Sequence, residues 1–204
     1  MNPNSEIPNP KCILVLAAGG SSRFGSSKQL AELEGRTLIR RAVETALSTS
    51  ADIVCVVLGA NAETIRSLID DLPILIVVNE NWSDGIGSSL VAGLETVTEL
   101  KPDLGSVAIT LADQPFVASD SIEQLFNAVN GERIVAASYD GTVGVPAVFP
   151  RKYFAELLGL SPEAGAKSLI IKHLADVVRI SFPEAAIDID TPDDFGRLSF
   201  VTFP

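Results

Sequence analysis

Histidine, cysteine and basic residues are all scarce in this chain. There is one histidine, His173, and two cysteines, Cys12 and Cys55, in 204 residues. A structural zinc site needs about four Cys or His ligands, so none can be assembled from these. Both cysteines sit inside apolar, strand-like runs and are expected to be reduced core residues rather than a disulfide framework. His173 follows an apolar helical stretch and is expected at a helix end or on the surface, not in catalysis. Lysine and arginine number 15 against 26 acidic residues, a net charge of −11. Such a surface repels phosphate backbones and anionic bilayers, which argues against nucleic-acid and membrane partners. A small anion can still be held by a local cluster of amides and cations, so the few basic residues around one become conspicuous. No apolar run approaches the roughly 20 residues that span a bilayer. The opening MNPNSEIPNP lacks an apolar core and is expected to be a disordered tail (1–10) rather than a signal peptide, with a cytoplasmic location following.

The composition that remains is 47% hydrophobic and 20% charged, ordinary for a globular protein. A chain of this size can bury roughly 70% of its unfolded surface around one core. Residues 11–204 are expected to form a single domain.

Apolar runs alternate with helical periodicity. Strands are expected at Cys12–Ala17, Ile53–Leu58, Ile74–Val78, Val107–Leu111 and Ile134–Ser138. Helical spacing covers Thr37–Leu47, Ala62–Ile69 and Ile86–Val97, and a helix capped by Ser119 or Asp120 runs to Val129. Continuous aliphatic strands between helices imply right-handed parallel βαβ units. The expected fold is α/β, a three-layer α/β/α sandwich with a Rossmann-like, mostly parallel sheet. Beyond Tyr139 the segment Asp140–Pro146 reads as turn-rich, followed by a short apolar piece at Ala147–Phe149. Helices are expected after Pro150 and Gly165, strands at Val177–Ile180 and Ala186–Ile189, and a last helix after Thr191-Pro192.

The first strand runs into Ala17-Ala18-Gly19-Gly20-Ser21-Ser22-Arg23-Phe24-Gly25-Ser26-Ser27-Lys28. Ligands of open α/β sheets bind beyond the carboxyl ends of the strands, where this loop lies. Glycines let backbone amides close on a phosphate, and Arg23 and Lys28 supply positive charge. Two commoner phosphate motifs are excluded. Gly20 and Gly25 have the Walker spacing, but Ser26 stands where lysine is required, and the dinucleotide pattern G-x-G-x-x-G is missing. Triphosphate chemistry calls for a hard cation on carboxylates. Asp113, in Leu111-Ala112-Asp113-Gln114-Pro115, lies at a strand end and reads equally as a turn residue or a metal ligand. Asp188 and Asp190, if extended, face the same way, whereas Asp193 and Asp194 suit a first helical turn.

The segment Leu16–Lys28 resembles the L-A-A-G-x-S-x-R-(M/F)-G-x-x-K signature of the molybdenum cofactor cytidylyltransferases and their wider nucleotidyltransferase superfamily. Phe24 stands where methionine is usual. Asp113 falls in the L-x-D-Q-P element, Asp188–Asp194 resembles D-I-D-T-P-x-D, Asn79–Leu90 resembles N-x-x-W-x-x-G-(M/I)-x-x-S-L, and Gly144–Phe149 resembles G-x-P-x-x-F. The likeness spans about Cys12 to Leu198. It implies a fold of the nucleotide-diphospho-sugar transferase type and transfer of CMP from CTP to the terminal phosphate of molybdopterin, with Mg2+ and release of pyrophosphate. It also implies a molybdoenzyme that receives the product. The implied nucleotide-binding residues are Leu16, Ala17, Ala18, Gly19, Gly20, Ser21, Arg23, Lys28, Ser88 and Asp113. Lys28 serves the α-phosphate, Arg23 the outer phosphates, and Asp113 the metal with Asp190 and its partner Asp188. Lys28, Arg23 and Asp113 form the catalytic set, and Gly144 and Pro146 line the acceptor side. Small residues at the helix start near Ser88 suit close contact with base or sugar. Ala17-Ala18-Gly19 is typical of cytidylyl members, Ala-Gly-Gly of guanylyl members. Two departures, Val145 where relatives carry His or Asn and Glu163 where they carry Asp, fall in the acceptor half. The alternatives are a GTP donor, a sugar or polyol phosphate acceptor, a non-catalytic cofactor-binding chaperone, or, disfavoured by the missing fingerprint, a dehydrogenase.

Overall fold

A computed structural model describes residues 9–20 and 28–187. Strand β1 (Lys11–Ala17) leads to a short hairpin of β2 (Glu32–Leu33) and β3 (Arg36–Thr37) and to helix α1 (Leu38–Leu47). Then come β4 (Ile53–Leu58), α2 (Ala62–Arg66), β5 (Leu75–Val78), α3 (Ile86–Leu100), β6 (Ser106–Leu111) and α4 (Ser119–Ala128). The chain continues through β7 (Val135–Tyr139), β8 (Thr142–Pro150), α5 (Phe154–Leu158), α6 (Ala166–Lys172) and β9 (Val178–Ser181). Among the described residues these build a seven-stranded sheet of order β5-β4-β1-β6-β8-β7-β9. Only β8 runs against its neighbours; the other pairings are parallel.

The aliphatic run of β1 exists because both of its faces are covered. Cys12, Leu14 and Leu16 pack with Leu90 and Leu94 of α3 and with α5 and α6. Ile13, Val15 and Ala17 pack with Ile39 and Val43 of α1, Ile65 of α2 and Phe126 of α4. Alternation along a strand therefore serves two apolar layers, which is the expected three-layer sandwich. Gly93 brings α3 close to the sheet, since a Cβ there would lie 2.6 Å from Val57 Cγ2. Thr37 caps α1 by accepting from the Arg40 amide at 3.4 Å. Both cysteines are free and buried. Burial pushes the Cys55 thiol up to about 12 and that of Cys12 higher still. His173 ends α6 and meets Glu156 at 3.0 Å. Among the described residues no helix is long and apolar enough to cross a membrane.

Three expectations change. The cap of α4 is Ala118, one residue before Ser119, and its side chain makes no capping bond. The turn-rich segment is mostly strand: Asp140 (φ 47) and Gly141 (φ 73) make a two-residue hairpin loop, and β8 begins at once. Proline is tolerated within it because the register passes from Ala136↔Ala147 to Ala137↔Gly144, so Val145 and Pro146 bulge out unpaired and no ladder bond is lost. The strand expected at Ala186–Ile189 does not begin at its first residue, because Ala186 closes a 3-10 turn, Pro183–Ala186. Asp188 onward lies outside the described residues.

Candidate active site at the carboxyl edge

The carboxyl ends of β1 and β6 open into a cavity of about 310 Å³. Its walls are Leu16–Gly20, Lys28, Gln29, Trp82, Ser83, Gly85, Ile86, Ser89 and Leu111–Asp113. Seven of the sequence-derived nucleotide residues thus meet in one place: Leu16, Ala17, Ala18, Gly19, Gly20, Lys28 and Asp113. Ser21 and Arg23 lie outside the described residues, as do Asp188 and Asp190. Ser88 sits beside the cavity, not in its wall. Its hydroxyl accepts from Asn79 Nδ2 at 2.9 Å and faces the carbonyls of Gly85 (2.7 Å) and Asn81 (3.0 Å). The neighbouring Ser89 lines the wall instead.

Lys28 Nζ donates to Asp113 Oδ2 at 2.5 Å, across 85 residues of sequence. Both side chains are mostly withdrawn from solvent, 16% and 18% exposed. Lys28 opens a 3-10 turn (Lys28–Leu30), and the buried Gln29 ties that turn under the loop. Its Nε2 donates to Gly19 O at 3.0 Å and Ala17 O at 3.2 Å. The other oxygen of Asp113, Oδ1, is buried and has no hydrogen-bond partner among the described residues. An uncommitted, buried carboxylate oxygen is costly unless something coordinates it, and it is the donor type that Mg2+ or Mn2+ prefers. Among the described residues no group of three or more His, Cys, Asp or Glu gathers. Among the described residues that line the cavity, Asp113 is the one carboxylate.

The start of α3 is tied to the loop that precedes α6. The amides of Gly87 and Ser88 donate to Pro162 O at 2.7 and 3.3 Å. A Cβ on Gly87 would come within 2.3 Å of Ser161 O. The small residue at 87 therefore admits the 161–164 loop.

A second cavity, also about 310 Å³, adjoins the first through the shared residues Leu16, Ile86 and Leu111. Its other walls are Ile109, Gln114, Tyr139, Val145, Gly165, Ala166 and Lys167. Val145 reaches it, whereas Gly144 and Pro146 are buried on either side. Gly144 leaves room for the Tyr139 hydroxyl, which a Cβ would approach to 2.4 Å. That hydroxyl donates to Val145 O at 3.2 Å. Gln114 Nε2 donates to Ala185 O at 2.9 Å and to Val145 O at 3.4 Å, bracing the same bulge.

Residues 13–177 match the MobA-like NTP transferase domain. The chain belongs to this family. Over 197 residues it is 32% identical to the nicotine blue oxidoreductase of Paenarthrobacter nicotinovorans, covering 91% of this chain and 94% of that one. It is 28% identical over 195 residues to the purine catabolism protein PucB of Bacillus subtilis strain 168, with 91% and 94% covered. Among solved structures, Rv0371c of Mycobacterium tuberculosis H37Rv superposes with a TM-score of 0.79 at 27% identity, covering 93% of this chain and 97% of that one. Rv0371c in complex with manganese superposes at 0.77 with 26% identity, covering 94% and 100%.

As a MobA-like nucleotidyltransferase, the chain places its cation and its carboxylate in one cavity beside the glycine-rich segment. Sequence reasoning singled out Lys28 and Asp113 but not their contact. Gln29 carries no signal in sequence, because a polar residue beside a loop is ordinarily solvated. Val145 was visible only as a departure from the family pattern. Lys167, four residues after the Glu163 departure, reaches the second cavity.

Proposed function

We propose that this MobA-like enzyme transfers CMP from CTP to the terminal phosphate of a molybdopterin-type acceptor, with Mg2+ and release of pyrophosphate. The observation that carries the reading is the Lys28–Asp113 pair in the cavity at the end of β1. Ala17-Ala18-Gly19 supports the cytidine donor. A phosphate oxygen of the acceptor attacks the α-phosphorus in line, forming one P–O bond as the bond to the α,β-bridging oxygen breaks and pyrophosphate leaves. Lys28 exchanges its carboxylate partner for α-phosphate oxygens, where charge develops. Arg23 holds the outer phosphates. Asp113, with Asp190 and Asp188, would hold the cation, whose chemistry is charge neutralisation between phosphates. A phosphate monoester is largely ionised near neutral pH, so no strong base is required. His173, paired with Glu156 at the end of α6, has no part in the transfer. Catalysis is then mostly positioning. We place the reaction in the cytoplasm, carried by one domain over residues 11–204, with a molybdoenzyme as recipient of the product.

The test is pyrophosphate release with Mg2+ and molybdenum cofactor, comparing CTP with GTP. Release with CTP alone supports the reading; release with GTP alone overturns the donor. Release with neither moves the acceptor to other phosphorylated compounds. The 32% identity to a protein named as an oxidoreductase favours a second reading, reduction of an aromatic compound by a nicotinamide cofactor. Oxidation of NADH or NADPH without pyrophosphate release would establish that reading instead. The absent dinucleotide fingerprint opposes it.

A further inference from the structure

Trp82 is the chain's one tryptophan. It begins the three-residue turn between β5 and α3, lines the first cavity, and remains 36% exposed. It belongs to none of the apolar clusters that make the core. At that exposure roughly a third of the stabilisation that full burial of an indole would give is forgone.

Its support is specific. A Cβ on Gly59 would lie 2.5 Å from Trp82 Cβ and 2.7 Å from Cγ. A Cβ on Gly20 would lie 3.0 Å from Cζ3 and 3.2 Å from Cη2. The side chain therefore lies along backbone, with a glycine under each end. Neither glycine has a positive φ. Space for the indole, not backbone freedom, is what glycine supplies at 20 and 59. These two glycines follow β1 and β4, so two strand ends jointly form the bed. The sheet order β4-β1-β6 then sets the indole on one flank of the β1 end and Asp113, with Lys28, on the other.

We infer that Trp82 is the platform on which the heteroaromatic base of the nucleotide stacks. This inference rests on the nucleotide reading above. The triphosphate lies toward Lys28 and the β6 end, and the base lies over the indole on the β4 side. Every base has a π-face, so stacking here adds affinity common to all nucleotides and does not choose among them. The choice between cytosine and guanine then falls to groups that meet the base edge.

Because Trp82 is the sole tryptophan, its fluorescence reports the contact directly. Titration of the wild-type chain with CTP, and separately GTP, in the presence of Mg2+ is expected to quench it saturably. Calorimetry should return the same dissociation constant. Trp82→Phe, which keeps a π-face, should bind within a few-fold of wild type. Trp82→Leu fills the space over the glycines without a π-face and should bind about ten- to hundred-fold more weakly. Its loss should be equal for the two triphosphates. Two results overturn the inference alone: calorimetric binding with no change in fluorescence, or Trp82→Leu binding as tightly as wild type. Binding of no triphosphate to the wild-type chain by calorimetry overturns the donor reading and this inference with it.

Discussion

The two cavities at the carboxyl edge share a wall and almost equal volume, yet differ in chemistry. The first holds a mostly buried ion pair, an orphaned carboxylate oxygen and a glycine-rich backbone. The second is walled largely by Leu16, Ile86, Ile109, Leu111, Val145 and Tyr139, with Lys167 among its few polar groups. Phosphoryl chemistry needs fixed charge, and the first cavity obtains it from the ends of two parallel strands, β1 and β6. The second lies where β8 bulges away from regular pairing, and its walls carry little charge. Under the transfer proposed above, the first cavity serves the triphosphate and the second the acceptor.

Substitutions should separate them. The largest effect is expected for Asp113→Ala, which should lower turnover by about a thousandfold or more while the melting temperature changes by only a few degrees. Retained turnover would remove Asp113 from the metal site. Lys28→Ala should lower kcat by about a hundred- to a thousandfold with little change in KM for the triphosphate; a rise in KM alone would deny it a transition-state role. In the second cavity, Val145→Asn should change KM for the acceptor by up to about tenfold and leave KM for CTP untouched. Equal shifts in both would mean that the cavities act as one. Ile86→Ala, in the shared wall, is expected to move both constants by a few-fold each.

The smallest effect lies away from both cavities. Lys172 at 2.7 Å and His173 at 3.0 Å hold the Glu156 carboxyl below its ordinary range. A folded-state value below the unfolded one stabilises the protein above the unfolded value, and that contribution fades as pH falls through the folded one. Melting temperatures of wild type and Glu156→Gln should therefore differ near neutral pH and converge as pH drops from about 5 toward 3. Glu156 is about a third exposed (34%), and solvent screening keeps the difference under about 1 kcal/mol.

Legibility in the sequence followed the range of the forces involved. Strands β1, β4, β5 and β6 were readable because burial on both faces demands unbroken aliphatic runs such as Ile53–Leu58. Helix α1 was readable from apolar spacing, although Thr37, read as its first residue, proves to be its cap. Strand β8 was obscured by Gly144 and Pro146, whose local turn preference is overridden by pairing with β6 and β7 on either side of a bulge. The Asp140-Gly141 pair was the signal that could have revealed the hairpin. At the site, Ser88 and Ser89 are indistinguishable by composition. Asn79 Nδ2 donates to both, and only the carbonyls of Asn81 and Gly85 beside Ser88 and the helix orientation separate them.

The sequence by itself determined the α/β class, the order of the main strands and helices as far as β7, and the presence of a glycine-rich loop with Lys28 and of Asp113 at a strand end. Those features follow from periodicity and residue chemistry over a few positions. Only the tertiary structure decided that Lys28 meets Asp113 across 85 residues. It alone decided that Gly20 and Gly59 make one bed for Trp82, that Gly87 admits the Ser161–Ala164 loop, and that Val145 rather than Gly144 or Pro146 faces the second cavity. These contacts depend on which strands become neighbours and how closely helices lie on the sheet, and packing of the whole chain sets both.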